Sequence, residues 1–309
     1  MRESLKNMPV PVVATMLGAA TLSNVYQSLG FDWVRHLSMW ASTLVLLFYI
    51  AKIIIHPSAV KAEYSNTVPA SLYAGITMVT MILCSYYKVW FPTACKWIFI
   101  TAVCVHAVHI LVFLCRNVFK GVNLDTFVPS WFVTFNGIMV SLVAGPDMLP
   151  SAMAKAVLYW GLFIYTVTIP FMVWRLITRE VKPGMLHTQA IVLAPCSLCL
   201  VSYLNIVKEP VRAVVIILYV CVILSLLFIL VKLPRFFSVP FAPGFAGLTF
   251  PMAIGVVAST KAGSYLAGIG NEVLAYGVKQ VAGIQIYVTT AIIGMVLFGF
   301  MKMLAGKKA

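Results

Sequence analysis

Two histidines three positions apart, His106 and His109 in VCVHAVHI, and two cysteines at CxxC spacing, Cys196 and Cys199, are the nearest approach to metal-ligand chemistry in the sequence. Histidines at i and i+3 share a helix face, but a closed zinc site needs about four nitrogen or sulfur donors. No third ligand is evident beside the histidines, and no second cysteine pair or neighbouring histidine accompanies the CxxC. Packing at helix or subunit contacts is therefore the expected role of both pairs, and no metal or other cofactor is expected. His187, in MLHTQ, opens an apolar stretch and reads either as a rim group titrating near neutrality or as an interfacial cap. There is no HExxH and no Walker loop, and GIG at Gly268 to Gly270 lacks the third glycine and preceding strand of a dinucleotide site, so no enzymatic activity is expected.

A different kind of chemistry is suggested by GLTFPM, where Phe250 stands directly before Pro251. Proline has no N–H and restricts the residue before it, so it fixes where that residue's side chain points. An aromatic ring so held inside a narrow pore closes it by steric blockage and by dewetting. A Phe that merely packs a core explains the same residues equally well.

The elements that must position such a ring follow from composition. Of 309 residues 62% are apolar and 10% charged. Apolar runs of about 20 residues, the length that crosses about 30 Å of hydrocarbon as a helix, recur along the whole chain. Ten spans are expected, near 8–29, 34–55, 68–87, 90–115, 127–145, 151–174, 186–206, 212–232, 242–260 and 277–301. Residues 1–309 then form a single transmembrane domain, with the apolar N-terminal stretch retained as the first span.

Lys and Arg number 22 against 8 acids, a formal charge of +14. With ten spans, the side holding both termini carries Arg2, Lys6, Lys52, Lys61, Arg116, Lys120, Arg175, Arg179, Lys182, Lys232, Arg235, Lys302, Lys307 and Lys308. The other side carries Arg35, Lys88, Lys96, Lys155, Lys208, Arg212, Lys261 and Lys279. This asymmetry puts both termini in the cytoplasm. It also accounts for the basic excess without nucleic acid as a partner.

Prolines fall in the odd spans: Pro11, Pro69, Pro129, Pro195 and Pro251, spaced by about sixty residues. The even spans, such as VVIILYVCVILSLLFILV, are smooth and lipid-like. Five helical hairpins are expected, each with one proline-kinked inner helix and one outer helix, the inner five enclosing a pore. The eight acids, Glu3, Asp32, Glu63, Asp125, Asp147, Glu180, Glu209 and Glu272, all fit in loops or at span ends. A conduit without carboxylates suits anions rather than cations or relayed protons. Ser71, Ser130, Thr134, Ser197, Ser202 and Thr249 are its candidate wall hydroxyls.

The segments PVPVVATMLGAATLSNVYQSLG, VPSWFVTFNGIMVSLVAG, APCSLCLVSYL and PGFAGLTFPMAIGVVAST together resemble the tellurite-resistance/dicarboxylate transporter family, which includes the plant slow anion channels. The resemblance implies an all-α membrane protein, ten helices as five hairpins in a quasi-fivefold array around a central pore, and a homotrimer with one pore per subunit. It maps the pore-occluding phenylalanine of the family onto Phe250. It also implies small inorganic or organic anions as the transported partners. A bacterial inner-membrane anion channel or channel-like uniporter, surrounded by membrane lipid, is the expectation; the alternative is a proton-coupled dicarboxylate carrier or an efflux transporter for tellurite and other toxic compounds.

Overall fold

Residues 2–306 are described in a computed structural model of the chain; Met1 and residues 307–309 lie outside them, and with them Lys307 and Lys308 of the charge count. The α-helices of the first half are α1 (Arg2–Lys6), α2 (Pro11–Ser28), α3 (Asp32–Ile55), α4 (Pro57–Ser65), α5 (Thr67–Leu72), α6 (Ala74–Tyr87), α7 (Pro92–Asn117), α8 (Trp131–Phe135) and α9 (Val140–Ala144). The second half has α10 (Ser151–Thr178), α11 (Leu193–Ile206), α12 (Arg212–Phe237), α13 (Thr249–Gly268) and α14 (Glu272–Leu304). Short 3₁₀ stretches precede α9, α10, α11 and α13, at Gly137–Met139, Pro146–Met148, Pro183–Val192 and Pro243–Leu248. Among the described residues there is no strand.

Eight helical segments are long and apolar enough to cross a membrane. Five are the unbroken helices α3, α7, α10, α12 and α14, in which only 28% to 39% of the most apolar window is buried within the chain. Their outward faces carry large apolar side chains, among them Trp40, Leu44, Phe163, Leu224 and Phe298. Such faces are stable against acyl chains and not against water. The other three are composite, α5 with α6, Pro183–Ile206 and Pro243–Gly268, and bury 61%, 83% and 72% of the same window.

Two of the ten expected spans are not among the eight. The first, α2, has 18 residues and is almost wholly buried, but carries Asn24, Gln27 and several hydroxyls. The fifth, expected over 127–145, is divided into α8, a single 3₁₀ turn and α9. The break falls at Asn136, whose amide leaves the helix path to donate to the Gly161 carbonyl of α10 at 2.9 Å. A segment so interrupted satisfies its backbone only when surrounded by protein.

The broken and buried segments pack on one another in sequence. α2 meets α6, α6 meets α9, α9 meets α11, α11 meets α13, and α13 returns to α2. Each long helix lies outside a junction: α3 on α2 and α6, α7 on α6 and α8, α10 on α11 and the 137–139 turn, α12 on α11 and α13, α14 on α13 and α2. The α2–α3 and α13–α14 turns are built alike. Gly30 (φ +90°) and Gly270 (φ +78°) let Phe31 and Asn271 donate back to the carbonyls of Tyr26 and Leu266, each at 2.9 Å. Both described ends of the chain lie at one end of the bundle. There the buried Lys52 ammonium at the end of α3 donates to the Met8 carbonyl at 2.7 Å, and Phe300 of α14 meets Phe241.

The expected proline kinks take another form. Pro11 is the first residue of α2, Pro69 the third of α5, Pro195 the third of α11 and Pro251 the third of α13, while Pro129 precedes α8 by two residues. Pro11, Pro69 and Pro129 thus stand in or just before a first helical turn, where an N–H has no intrahelical acceptor, while Pro195 and Pro251 follow 3₁₀ turns directly, within the composite segments 183–206 and 243–268. Departure from α geometry lies just before the proline, most clearly where 3₁₀ turns give way to α11 and α13. The prolines interior to a helix are Pro170 and Pro234, both in outer helices.

The closest approach of a glycine to another segment's backbone is at Gly18 of α2. A Cβ there would stand 2.7 Å from the Thr249 backbone carbon and 2.8 Å from the Phe250 nitrogen. Gly18→Ala is expected to force α2 and α13 apart at a cost of about 1–3 kcal/mol. Thermal unfolding in detergent checks this: the midpoint falls, whereas Gly277→Ala, with nothing within 4 Å of the new methyl, leaves it unchanged or raises it.

Candidate functional site: two cavities that meet at Phe250

The inner segments enclose two cavities, one toward each end of the bundle. The larger, about 630 Å³, lies toward the end holding the chain termini. Its wall is mostly apolar and close to backbone, with Pro11, Pro69, Pro243, Pro251, Gly75, Gly184, Gly244 and Gly247, and its polar residues are Asn66, Thr67, Thr126 and Thr188. The smaller, about 310 Å³, opens toward the other end and contains Thr21, Asn24, Arg35, Ser85 and Lys88 among Ile82, Val140, Val143, Ile254 and Val257. No carboxylate lines either cavity.

One residue lines both: Phe250. Its side chain is nearly buried, 6% exposed. It is the second residue of α13, so its backbone is set by the switch from 3₁₀ to α geometry at Thr249, and the backbone before Phe250 rests on Gly18. Four segments pass the ring in the same direction. Ala14 and Leu17 of α2 face the apolar cavity and Thr21 and Asn24 the basic one; Leu72 and Gly75 stand opposite Ile82 and Ser85, Val133 opposite Val140, and Gly247 opposite Ile254.

The sequence model of the voltage-dependent anion channels (SLAC1) matches residues 7–304. The chain belongs to that family. No curated protein matches it. As a member of the voltage-dependent anion channel family it is a multi-pass membrane protein that moves small anions.

Within this anion channel fold the hydroxyls expected to form the wall, those of Ser71, Ser130, Thr134, Ser197, Ser202 and Thr249, are not among the residues lining the two cavities. Ser71 donates to the Val68 carbonyl (2.7 Å) and Thr249 to that of Ala246 (2.8 Å), within their own helical turns. Thr134 and Ser202 reach across to the carbonyls of Ser71 and Met139. Ser130 and Ser197 are buried with no partner for their hydroxyls among the described residues. A helical Ser or Thr readily bonds a carbonyl one turn back, and this draws the hydroxyl away from a lumen. Of the prolines, Pro11, Pro69 and Pro251 line the apolar cavity, whereas Pro129 and Pro195 are buried in helix contacts.

The histidines hold helices together. His106, fully buried, donates from Nε2 to the Thr134 carbonyl at 2.9 Å and pairs through Nδ1 with the Thr77 hydroxyl at 2.7 Å, joining α7 to α6 and α8. His109 meets the Tyr64 hydroxyl at 2.9 Å and the Thr134 hydroxyl at 3.3 Å. His187 donates from Nε2 to the Phe236 carbonyl at 3.0 Å and stacks on Phe245, with ring centres 3.8 Å apart. Among the described residues no group of His, Cys, Asp and Glu could hold a metal ion.

The polar residues of the basic cavity were not singled out from sequence. Arg35 and Lys88 entered only as charges in the loop count, and Asn24 as part of an apolar span. The available signal was position: Asn24 and Ser85 fall at the C-terminal ends of the first and third spans, where inner segments reach the same end of a bundle.

The two cavities differ in access. With the native cysteines replaced, Ala14→Cys is expected to react with a membrane-impermeant thiol reagent only from the side of the chain termini, and Thr21→Cys only from the opposite side. Labelling of both from one side would contradict the separation of the cavities at Phe250.

Proposed function

We propose that the chain is an anion channel, or a uniporter that works like one, in which small anions pass between the two cavities and Phe250 is the gate. The observation that carries this reading is that Phe250 alone lines both cavities, with no carboxylate on either side. In this reading ten segments cross the membrane as five hairpins, α2, α5–α6, α8–α9, 183–206 and 243–268 inside and α3, α7, α10, α12 and α14 outside, in a quasi-fivefold array. The order of helix contacts, which closes from α13 back onto α2, supports it. The conduit then belongs to a single chain, and the argument for it requires no second subunit. The side holding both described ends is the cytoplasmic side of a bacterial inner membrane, on the strength of the basic excess there.

Electrostatics favour anions at both mouths. Helix N-termini carry a positive partial charge, and α2, α5 and the composite segments 183–206 and 243–268 all begin around the apolar cavity, where Pro11, Thr67, Gly184 and Pro243 line the wall. At the other mouth, where the helix ends have the opposite sign, Arg35 and Lys88 supply full positive charges. Between them stands the benzyl ring, which in this reading blocks a hydrated ion.

Removing the ring tests this. Phe250→Ala is expected to raise anion current in a planar bilayer by about tenfold or more, which needs only about 1.4 kcal/mol off the barrier. Phe250→Leu should fall between the two. Unchanged current at normal protein level and assembly would remove Phe250 as the gate, and uphill anion uptake driven by a proton gradient would replace the channel with a coupled carrier.

A further inference from the structure

The basic cavity holds two cations in unequal circumstances. Lys88 follows the last turn of α6, and its ammonium donates to both carboxylate oxygens of Asp147, at 2.8 and 3.1 Å, in the 3₁₀ turn before α10. Lys88 lines the cavity; Asp147 does not, and is largely exposed. Arg35 lines the same cavity, and among the described residues no carboxylate oxygen lies within 4 Å of its guanidinium. It is held instead by neutral groups: Nε donates to the Asn24 Oδ1 at 2.9 Å, and the guanidinium carbon lies 5.2 Å from the centre of the Tyr86 ring. The nearest carboxylate in sequence, Asp32, is one turn earlier on α3.

We propose that Asp147 is the resident counter-ion of the basic cavity and sets its affinity for small monovalent anions, with Arg35 as the group that contacts the passing ion. The inference rests on passage of anions between the two cavities. An ammonium paired with a carboxylate presents little net charge, and an arriving halide or nitrate must compete with a tethered rival. The cavity therefore offers one net positive charge, from Arg35, and a second becomes available only when Lys88 is released. Freeing Lys88 would add a second positive charge and gather more anion at low salt, where the charge is least screened. Because Asp147 is not among the residues lining the cavity, its charge acts there through Lys88.

The test uses Phe250→Ala as a background with steady current. Into it are placed Asp147→Asn, Asp147→Glu and Lys88→Gln, and chloride current is recorded at roughly 10 mM, where the Debye length is about 30 Å, and at about 1 M, where it is about 3 Å. At low salt Asp147→Asn is expected to raise current and Lys88→Gln to lower it, each by about two- to threefold, the Boltzmann factor for one unit charge at about 7 Å in water. Asp147→Glu should match the background, and all the differences should shrink at high salt. If Asp147→Asn and Lys88→Gln shift current in the same direction, the pair is a structural latch and the proposal is wrong. If Asp147→Asn changes nothing while the background current persists, the proposal fails and the channel reading stands. A background without anion current would remove both.

Discussion

Every inner segment that passes Phe250 runs from the apolar cavity toward the basic one, and this shared direction governs the charge distribution of the molecule's interior. In an antiparallel bundle neighbouring helix dipoles cancel; in a set of parallel inner segments they add. In the proposed five-hairpin plan the parallel arrangement follows because each return passage is made by an outer helix. One end of the interior is then positive without any charged side chain, which is why the larger cavity holds only Asn and Thr as polar residues. The opposite end starts from a negative potential and needs Arg35 and Lys88 to reverse it. A carboxylate lining either cavity would undo this arrangement.

The same plan separates two kinds of helix, and only one kind was plainly written in the sequence. Outer helices face lipid, so their composition is dictated by a uniform solvent and appears as long apolar runs. α12 and α14 were legible for this reason. Inner segments face one another and the cavities, and their side chains answer to neighbours rather than to lipid. The stretch over 127–145 read as one span, yet Asn136 finds a carbonyl on α10 and the backbone breaks there. No pattern within those residues discloses the partner.

The functional residues divide along the same line. Phe250 was legible because the following proline restricts its backbone and because the surrounding segment is distinctive. What the sequence could not convey was the mechanism of restriction. Pro251 stands two residues after 3₁₀ geometry gives way to α geometry at Thr249, inside the composite segment 243–268. The wall hydroxyls are less legible, because sequence gives the type of a side chain and not its partner, and inside a helix the nearest carbonyl competes with a lumen. Arg35 and Lys88 lie about fifty residues apart in sequence, in two hairpins, and only the packing of α3 onto both α2 and α6 brings them to one cavity.

Gly18 connects these points to gating. The backbone of α2 contacts that of Thr249 and Phe250 closely enough to exclude even one methyl group, so the origin of the aromatic side chain is fixed by two backbones rather than by side-chain packing. A ring anchored in this way moves by rotation about its own bonds, or else α2 and α13 must separate together. The first route is local and leaves the five-segment contact intact. The second opens the interface that Gly18 closes and carries α14 with it, since that outer helix rests on both. If Phe250 is the gate, as proposed, the second route would couple the ring to the lipid-facing surface of α14 without a change in either cavity's lining.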